Sequence, residues 1–259
     1  MTHEDIRRFA EDPAAWGEID PQSGFDRVLT DDYCILFGPI PSFTMVSRLR
    51  LDPDTVAETI HEVRAEVQRR GRSRATWHVG SSATPADLVD RLRAHGLVTD
   101  DHTTALVLDH EPAPGPEGVE ARRVTSLEEF RLAGKIAGIA FASERSHEWD
   151  EIAEERFALE RAGHAPQAYL AYIDGEPVGA AQVLLERDCP AGLLVGGAVL
   201  APFRSRGAYR ALVRARWDDA SAAGFGALCV HGGAMSRPIL ERLGFEPVAE
   251  IEILGDPAT

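Results

Sequence analysis

The chain has 259 residues, 44% hydrophobic and 27% charged, the profile of a soluble globular protein with room for one large domain or two ordinary ones. A net charge of −15, spread over both halves, disfavours nucleic acid and anionic membrane surfaces as partners. Three scattered cysteines (Cys34, Cys189, Cys229) suit neither a disulfide framework nor a metal site, and the polar start MTHEDIRRFAED is no signal peptide, so the expected location is the cytoplasm.

In chain order, the first predicted elements are a strand over 43–49 and a helix over 54–70. In the helix Val56, Ile60, Val63 and Val67 recur at helical spacing. A strand over 76–79, a helix over 85–94 stopped by Gly96, and a strand over 103–108 follow. Trp77 and His78 read as core and strand residues. The stretch HEPAPGPEG, residues 110–118, reads as a linker or long turn and divides the chain into domains 1–110 and 119–259.

Beyond it come a strand (VEARRVT), a helix opened by Ser126 and a helix over about 150–162. A strand over 168–173, the hairpin turn Asp174-Gly175 and a return strand are next. The apolar run Ala191–Phe203 is too short to span a bilayer and reads as a buried strand; Gly196-Gly197 inside it marks a bulge or a close backbone approach. A helix over 207–223, a short strand ALCVHG, the helix SRPILERL and a last strand PVAEIEIL complete a mixed α/β pattern, one sheet with helices on its faces. Both halves end in strand, helix, glycine, strand, which suggests an internal duplication; such a joint is also common in unrelated α/β folds.

The chemistry concentrates where a buried strand ends and a helix begins, over Val199-Leu200-Ala201-Pro202-Phe203-Arg204-Ser205-Arg206-Gly207-Ala208-Tyr209. A helix N-terminus presents free N–H groups and the positive end of the helix dipole, which suits an anion. Five arginines and no acid lie between Phe203 and Arg216, a local reversal of charge that suits a diphosphate better than a solvated arginine face does. The chain has neither a G-x-x-x-x-G-K-[ST] nor a G-x-G-x-x-G motif, which weighs against other phosphate-binding folds.

This segment resembles the signature of the GNAT superfamily of N-acyltransferases, Q/R-x-x-G-x-G/A after a strand, with Tyr209 in place of the final Gly or Ala. The surrounding elements, through to Leu243-Gly244-Phe245, keep the superfamily's order over about 135 residues. The resemblance implies a GNAT-like central mixed sheet flanked by helices, in a tandem pseudo-duplication whose N-terminal copy is degenerate. It implies acetyl-CoA as acyl donor, its diphosphate on Arg204, Ser205, Arg206, Gly207, Ala208 and Tyr209, and its pantetheine arm beside Val199, Leu200 and Ala201. It further implies a primary amine of a small molecule or peptide as acceptor, and a possible homodimer. The tyrosine that serves many members as general acid is replaced by Leu240. Ser236 is the candidate to protonate the departing thiolate, with helix capping as the plainer role, and His231 is the candidate base, with packing as the plainer role. Glu186 and Asp188 are candidates for holding a cationic amine, and Glu144, Arg145 and His147 for shaping the acceptor site. In the N-terminal half the signature position reads Arg50-Leu51-Asp52-Pro53-Asp54, without glycine and with two aspartates, so that copy is expected to have lost cofactor binding. The competing reading is a non-catalytic acyl-CoA-binding regulatory protein.

Overall fold

The computed structural model describes residues 2–143 and 146–257. The chain forms two compact units, the first from Met1–Leu106, His231–Glu241 and Glu246–Thr259, the second from Val107–Val230 and Arg242–Phe245.

In unit 1, β1 (Asp26–Leu29), β2 (Cys34–Phe37) and β3 (Thr44–Ser47) form an antiparallel meander. Helix α2 (Val56–Arg69) then returns the chain to β4 (Ala75–Gly80), parallel to β3, as a helical crossover must. Helix α1 (His3–Glu11) opens the unit on a capping box in which the Thr2 side chain takes the Asp5 N–H and the Asp5 carboxylate takes the Thr2 N–H. Helix α3 (Leu88–Ala94) leads into β5 (Val98–Leu108). The periodic valines and Ile60 of α2 pack with Trp77, Leu88 and Leu92 into a dry core.

Unit 2 begins with β6 (Val119–Arg123), followed by α4 (Leu127–Ala140), α5 (Ser146–Glu151) and α6 (Ala153–Ala162). Ser126 caps α4 by accepting the Glu129 N–H. Strands β7 (Gln167–Ile173) and β8 (Glu176–Leu184) form a hairpin whose turn residues, Asp174 and Gly175, are both left-handed, as a two-residue turn of this twist requires. Then come β9 (Gly192–Val199), α7 (Ala208–Ala222) and β10 (Leu228–Gly233). The strand order in this unit is β10-β9-β8-β7-β6. Two more elements, α8 (Arg237–Arg242) and β11 (Glu246–Asp256), follow β10.

Two sequence expectations are corrected here. Residues 119–259 do not form one unit: β11 pairs antiparallel with β4 over Ile251↔Gly80 to Asp256↔Ala75, and buried Asp256 is bound by Arg64 of α2 at 2.9 Å. Residues 110–118 are not a free linker either. Arg214 of α7 holds Glu111 at 2.6 Å and donates to the Pro112 carbonyl at 3.0 Å, while Pro116 packs over Gly207. Helix α1 and strands β1 and β2 had no counterpart in the sequence reading. The two halves of the sequence repeat one order of elements: meander, helix, parallel strand, short helix ended by a left-handed glycine (Gly96, Gly244), long strand.

Candidate active site

Strand β9 is parallel to β10 for only two residue pairs, Leu228↔Gly192 and Cys229↔Leu193. From Leu194 onward β9 stays paired to β8 alone, so one of its edges opens as a fork. Along the opposite, paired edge Gln182 faces Val195 and Ala180 faces Ala198, leaving Gly196 and Gly197 opposite the single residue Ala181. That is a β-bulge, with Gly196 at φ 61, and it re-aims the backbone groups at the mouth of the fork.

Past β9 the chain makes a 3₁₀ turn over Ala201–Phe203 and enters α7 through Gly207 at φ 91. No side chain caps this helix, so its first-turn N–H groups keep their donors for an outside acceptor. Ser205 is also left-handed, φ 63, a conformation that costs a non-glycine residue about 1–2 kcal/mol and recurs at functional loops. Arg204 folds back to donate to the Val199 carbonyl at 3.2 Å, and Arg206 reaches Asp174 at 3.3 Å and lies over the Phe203 ring. The site thus keeps three features an anion needs: open amides, two exposed guanidinium groups and the dipole end of a 15-residue helix.

The structure sharpens the roles of the predicted residues. The Leu200 N–H is committed to the Val178 carbonyl, and the carbonyls of Leu200 and Ala201 accept from Phe203 and Arg204. These backbone groups hold the loop. Gly207 has a packing reason to be glycine, because a Cβ there would lie 2.3 Å from Pro116. Tyr209 leaves its amide in the first turn of α7 and sends its side chain inward to lie under Gly197.

In unit 1, His231 Nε2 lies 2.7 Å from the Ala10 carbonyl. That contact makes Nε2 the protonated nitrogen, leaving Nδ1 as the lone-pair atom, and burial holds the ring's pKa below its ordinary value. The Ser236 hydroxyl donates to the Gly233 carbonyl at 3.3 Å, next to α8. Leu240 is buried against Gly232. Glu186 belongs to a turn in unit 2, where its carbonyl accepts from Cys189 N and its carboxylate from the Cys189 thiol at 3.6 Å; Asp188 is exposed. His147 sits on α5, while Glu144 and Arg145 lie outside the described residues. Among the described residues no group of His, Cys, Asp and Glu is placed to hold a metal, and no helix is long and apolar enough to cross a membrane.

Sequence reasoning missed Arg216. It is only 1% exposed, and lies seven residues, two helical turns, past Tyr209 on the same face of α7. That spacing was the available signal.

Comparison with solved structures gives the fold its place. A GCN5-related N-acetyltransferase from Kribbella flavida aligns over 98% of this chain and 96% of its own, with TM-score 0.68 and 21% identity. The fold is that of the GCN5-related N-acetyltransferases. A second such protein, from Sphaerobacter thermophilus, aligns over 88% of this chain and 81% of its own (TM-score 0.61, 16% identity). A tandem GNAT protein from the clavulanic acid biosynthesis pathway aligns over 100% and 96% (TM-score 0.59, 16% identity). No protein-family model and no curated protein matches the sequence.

Proposed function

We propose that this protein is an N-acyltransferase that moves an acetyl group from acetyl-CoA to a primary amine of a small molecule or peptide. The observation that carries this reading is the open edge of β9, with its glycine bulge, leading directly to the uncapped, arginine-flanked start of α7. The amides of the first turn of α7 and of residues 205–207, with Arg204 and Arg206, would hold the diphosphate of the donor. The free edge of β9 would hold the pantetheine arm by backbone bonds, as a sheet edge accepts an added strand. An N–H at the bulge would steady negative charge as it develops on the reacting carbonyl oxygen. The acyl donor supplies the activated carbonyl; the protein supplies position and charge. His231 through Nδ1 and Ser236 through its hydroxyl are the groups offered for proton transfer, each with the structural bond described above as its competing role. The cytoplasm is the proposed location.

The test is release of free CoA thiol from acetyl-CoA across a panel of small amines and peptide N-termini, alongside thermal shifts with acetyl-CoA, CoA and desulfo-CoA. Amine-dependent thiol release supports the proposal. A shift in melting temperature without turnover on any amine would favour the non-catalytic acyl-CoA-binding alternative, to which buried Leu240, in place of a phenol, lends support. The absence of any shift would overturn both.

A further inference from the structure

A guanidinium with no access to water is an expensive group to bury without a partner for each charge and donor. Arg216 is such a group. Its Nε donates to the Leu212 carbonyl at 2.9 Å, within its own helix, and its Nη1 donates to the Gln182 carbonyl of β8 at 3.1 Å. Its Nη2 is buried and makes no hydrogen bond of full geometric quality, with the Tyr209 phenol as the polar group that interacts with this guanidinium. Among the described residues no carboxylate is paired with Arg216; the groups that act on its charge are the phenols of Tyr209 and Tyr169, and the Tyr169 hydroxyl is given to Asp219 at 2.5 Å. Nη2 and the Tyr209 phenol both lie beside the glycine bulge. A Cβ on Gly197 would stand 3.6 Å from Nη2, and 3.1 Å from the Tyr209 ring. Gln182, which holds Nη1, is the residue at which β8 and β9 lose register.

We infer that Arg216 is a positioning residue for acyl transfer, a buried positive charge held to β8 behind the Gly196-Gly197 bulge that strengthens the pull of the bulge's backbone donors on the reacting carbonyl oxygen. This inference rests on the acyltransferase reading above. The physical reason is distance and dielectric. A unit charge a few ångströms behind a backbone amide, in a region closed to water, polarises that amide far more than an exposed charge does, and it is in place before the reaction begins. Bare glycine at position 197 keeps the gap between the guanidinium and the bulge free of a methyl group. Because the charge acts on the carbonyl as its oxygen becomes negative, the effect belongs to kcat and not to donor affinity.

The experiment uses the full chain and follows bound acetyl-CoA labelled with ¹³C at the carbonyl by difference infrared spectroscopy. In the wild type the carbonyl band is expected at lower frequency than in water, and a band at its water position overturns the inference without any variant. Arg216→Met is expected to return the band toward its water position, to lower kcat by about 10- to 100-fold, and to leave the Kd for CoA within about 3-fold of wild type. Arg216→Lys, which keeps the charge without the fork of donors, should recover part of both effects. A fall in CoA affinity with no change in the band would make Arg216 a purely structural residue and sink the inference. Failure of the wild type to bind acetyl-CoA at all would instead strike the acyltransferase reading.

Discussion

Each unit contains the same device, a parallel strand pair joined by a helix and parted at one end, and the two differ in what fills the gap. In unit 2 the fork between β9 and β10 opens after Leu193 and Cys229, and the following loop enters α7 through glycine and arginines. In unit 1, β3 and β4 pair at Met45↔Thr76 and Val46↔Trp77, part, and are closed again by the bridge Arg50↔Thr84. There the Leu51 N–H goes to the Thr84 carbonyl and the Thr84 N–H to the Leu49 carbonyl, both at 3.1 Å. Asp12 takes the Arg48 N–H at 2.9 Å and the Arg50 guanidinium at 3.1 Å, and Glu11 takes both donors of Ser82. Asp52 and Asp54 precede α2 where the other unit has Arg204 and Arg206. One fold therefore supports two opposite outcomes. The side chains and the backbone after the first strand of each pair decide whether the gap stays open or satisfies itself.

The largest expected effect is at the open fork. Gly207→Ala must place a methyl group against Pro116 in a left-handed backbone, and should destabilise unit 2 by about 2–4 kcal/mol. Chemical denaturation followed by tryptophan fluorescence measures this, and the same variant should lose CoA binding. A variant as stable as wild type would mean that Pro116 gives way easily and that the docked segment is loosely held.

Next is the closed fork. Burial pushes the Asp12 carboxyl up from its usual range, and Arg50 is the main charge opposing that. Arg50→Ala leaves this carboxylate without its cation and should cost about 2 kcal/mol in the same denaturation assay. It should not create CoA binding, because the backbone bridge to Thr84 remains. Acquired binding would show that the ion pair alone keeps the gap shut.

The most gradual effect separates the units by pH. His78 is driven down to about 3 by burial and by His231, and His231 is itself lowered by burial. Both are neutral in the folded chain and protonate in the unfolded chain near pH 6.5, so the unfolded state binds more protons below that value. Stability of unit 1 should therefore fall as pH drops below about 6.5, by at most about 1.4 kcal/mol per pH unit for each histidine. Unit 2 has the opposite kind of group in Glu129, held down to about 2 by Arg122 and by the Thr125 N–H and hydroxyl. Its contribution is complete above the unfolded carboxyl pKa near 4.3 and is lost as pH falls toward 2. Hydrogen exchange at pH 5 against pH 7 should show protection falling in β4 and not in β6. Equal loss in both strands would remove the histidines from the explanation.

What was legible in the sequence was local. The spacing of Val56, Ile60, Val63 and Val67 gives α2, Asp174-Gly175 gives its hairpin, Gly196-Gly197 gives the bulge, and the acid-free arginine run gives the start of α7. Helix α1 escaped because its capping box uses Asp5 where a longer acid is usual and only Phe9 and Ala10 are buried. Strands β1 and β2, four residues each, are too short for alternation to speak. The partner of β11 escaped for a different reason: its alternating burial names a strand, but nothing local says which strand lies beside it. Arg216 looked like one more member of a basic run, and only packing shows that it is the one turned inward.

The seat of β11 beside β4 also sets the order in which the molecule can be assembled. A ribosome that has just released β4 must add about 165 more residues before the strand that covers its open edge exists, roughly 8–30 s of synthesis at common rates. During that interval the segment already made carries an exposed row of unpaired backbone groups and an Arg64 whose carboxylate partner, Asp256, comes 192 residues later. The nascent protein is therefore most exposed to chaperones, and to mispairing with neighbouring chains, in the half translated first.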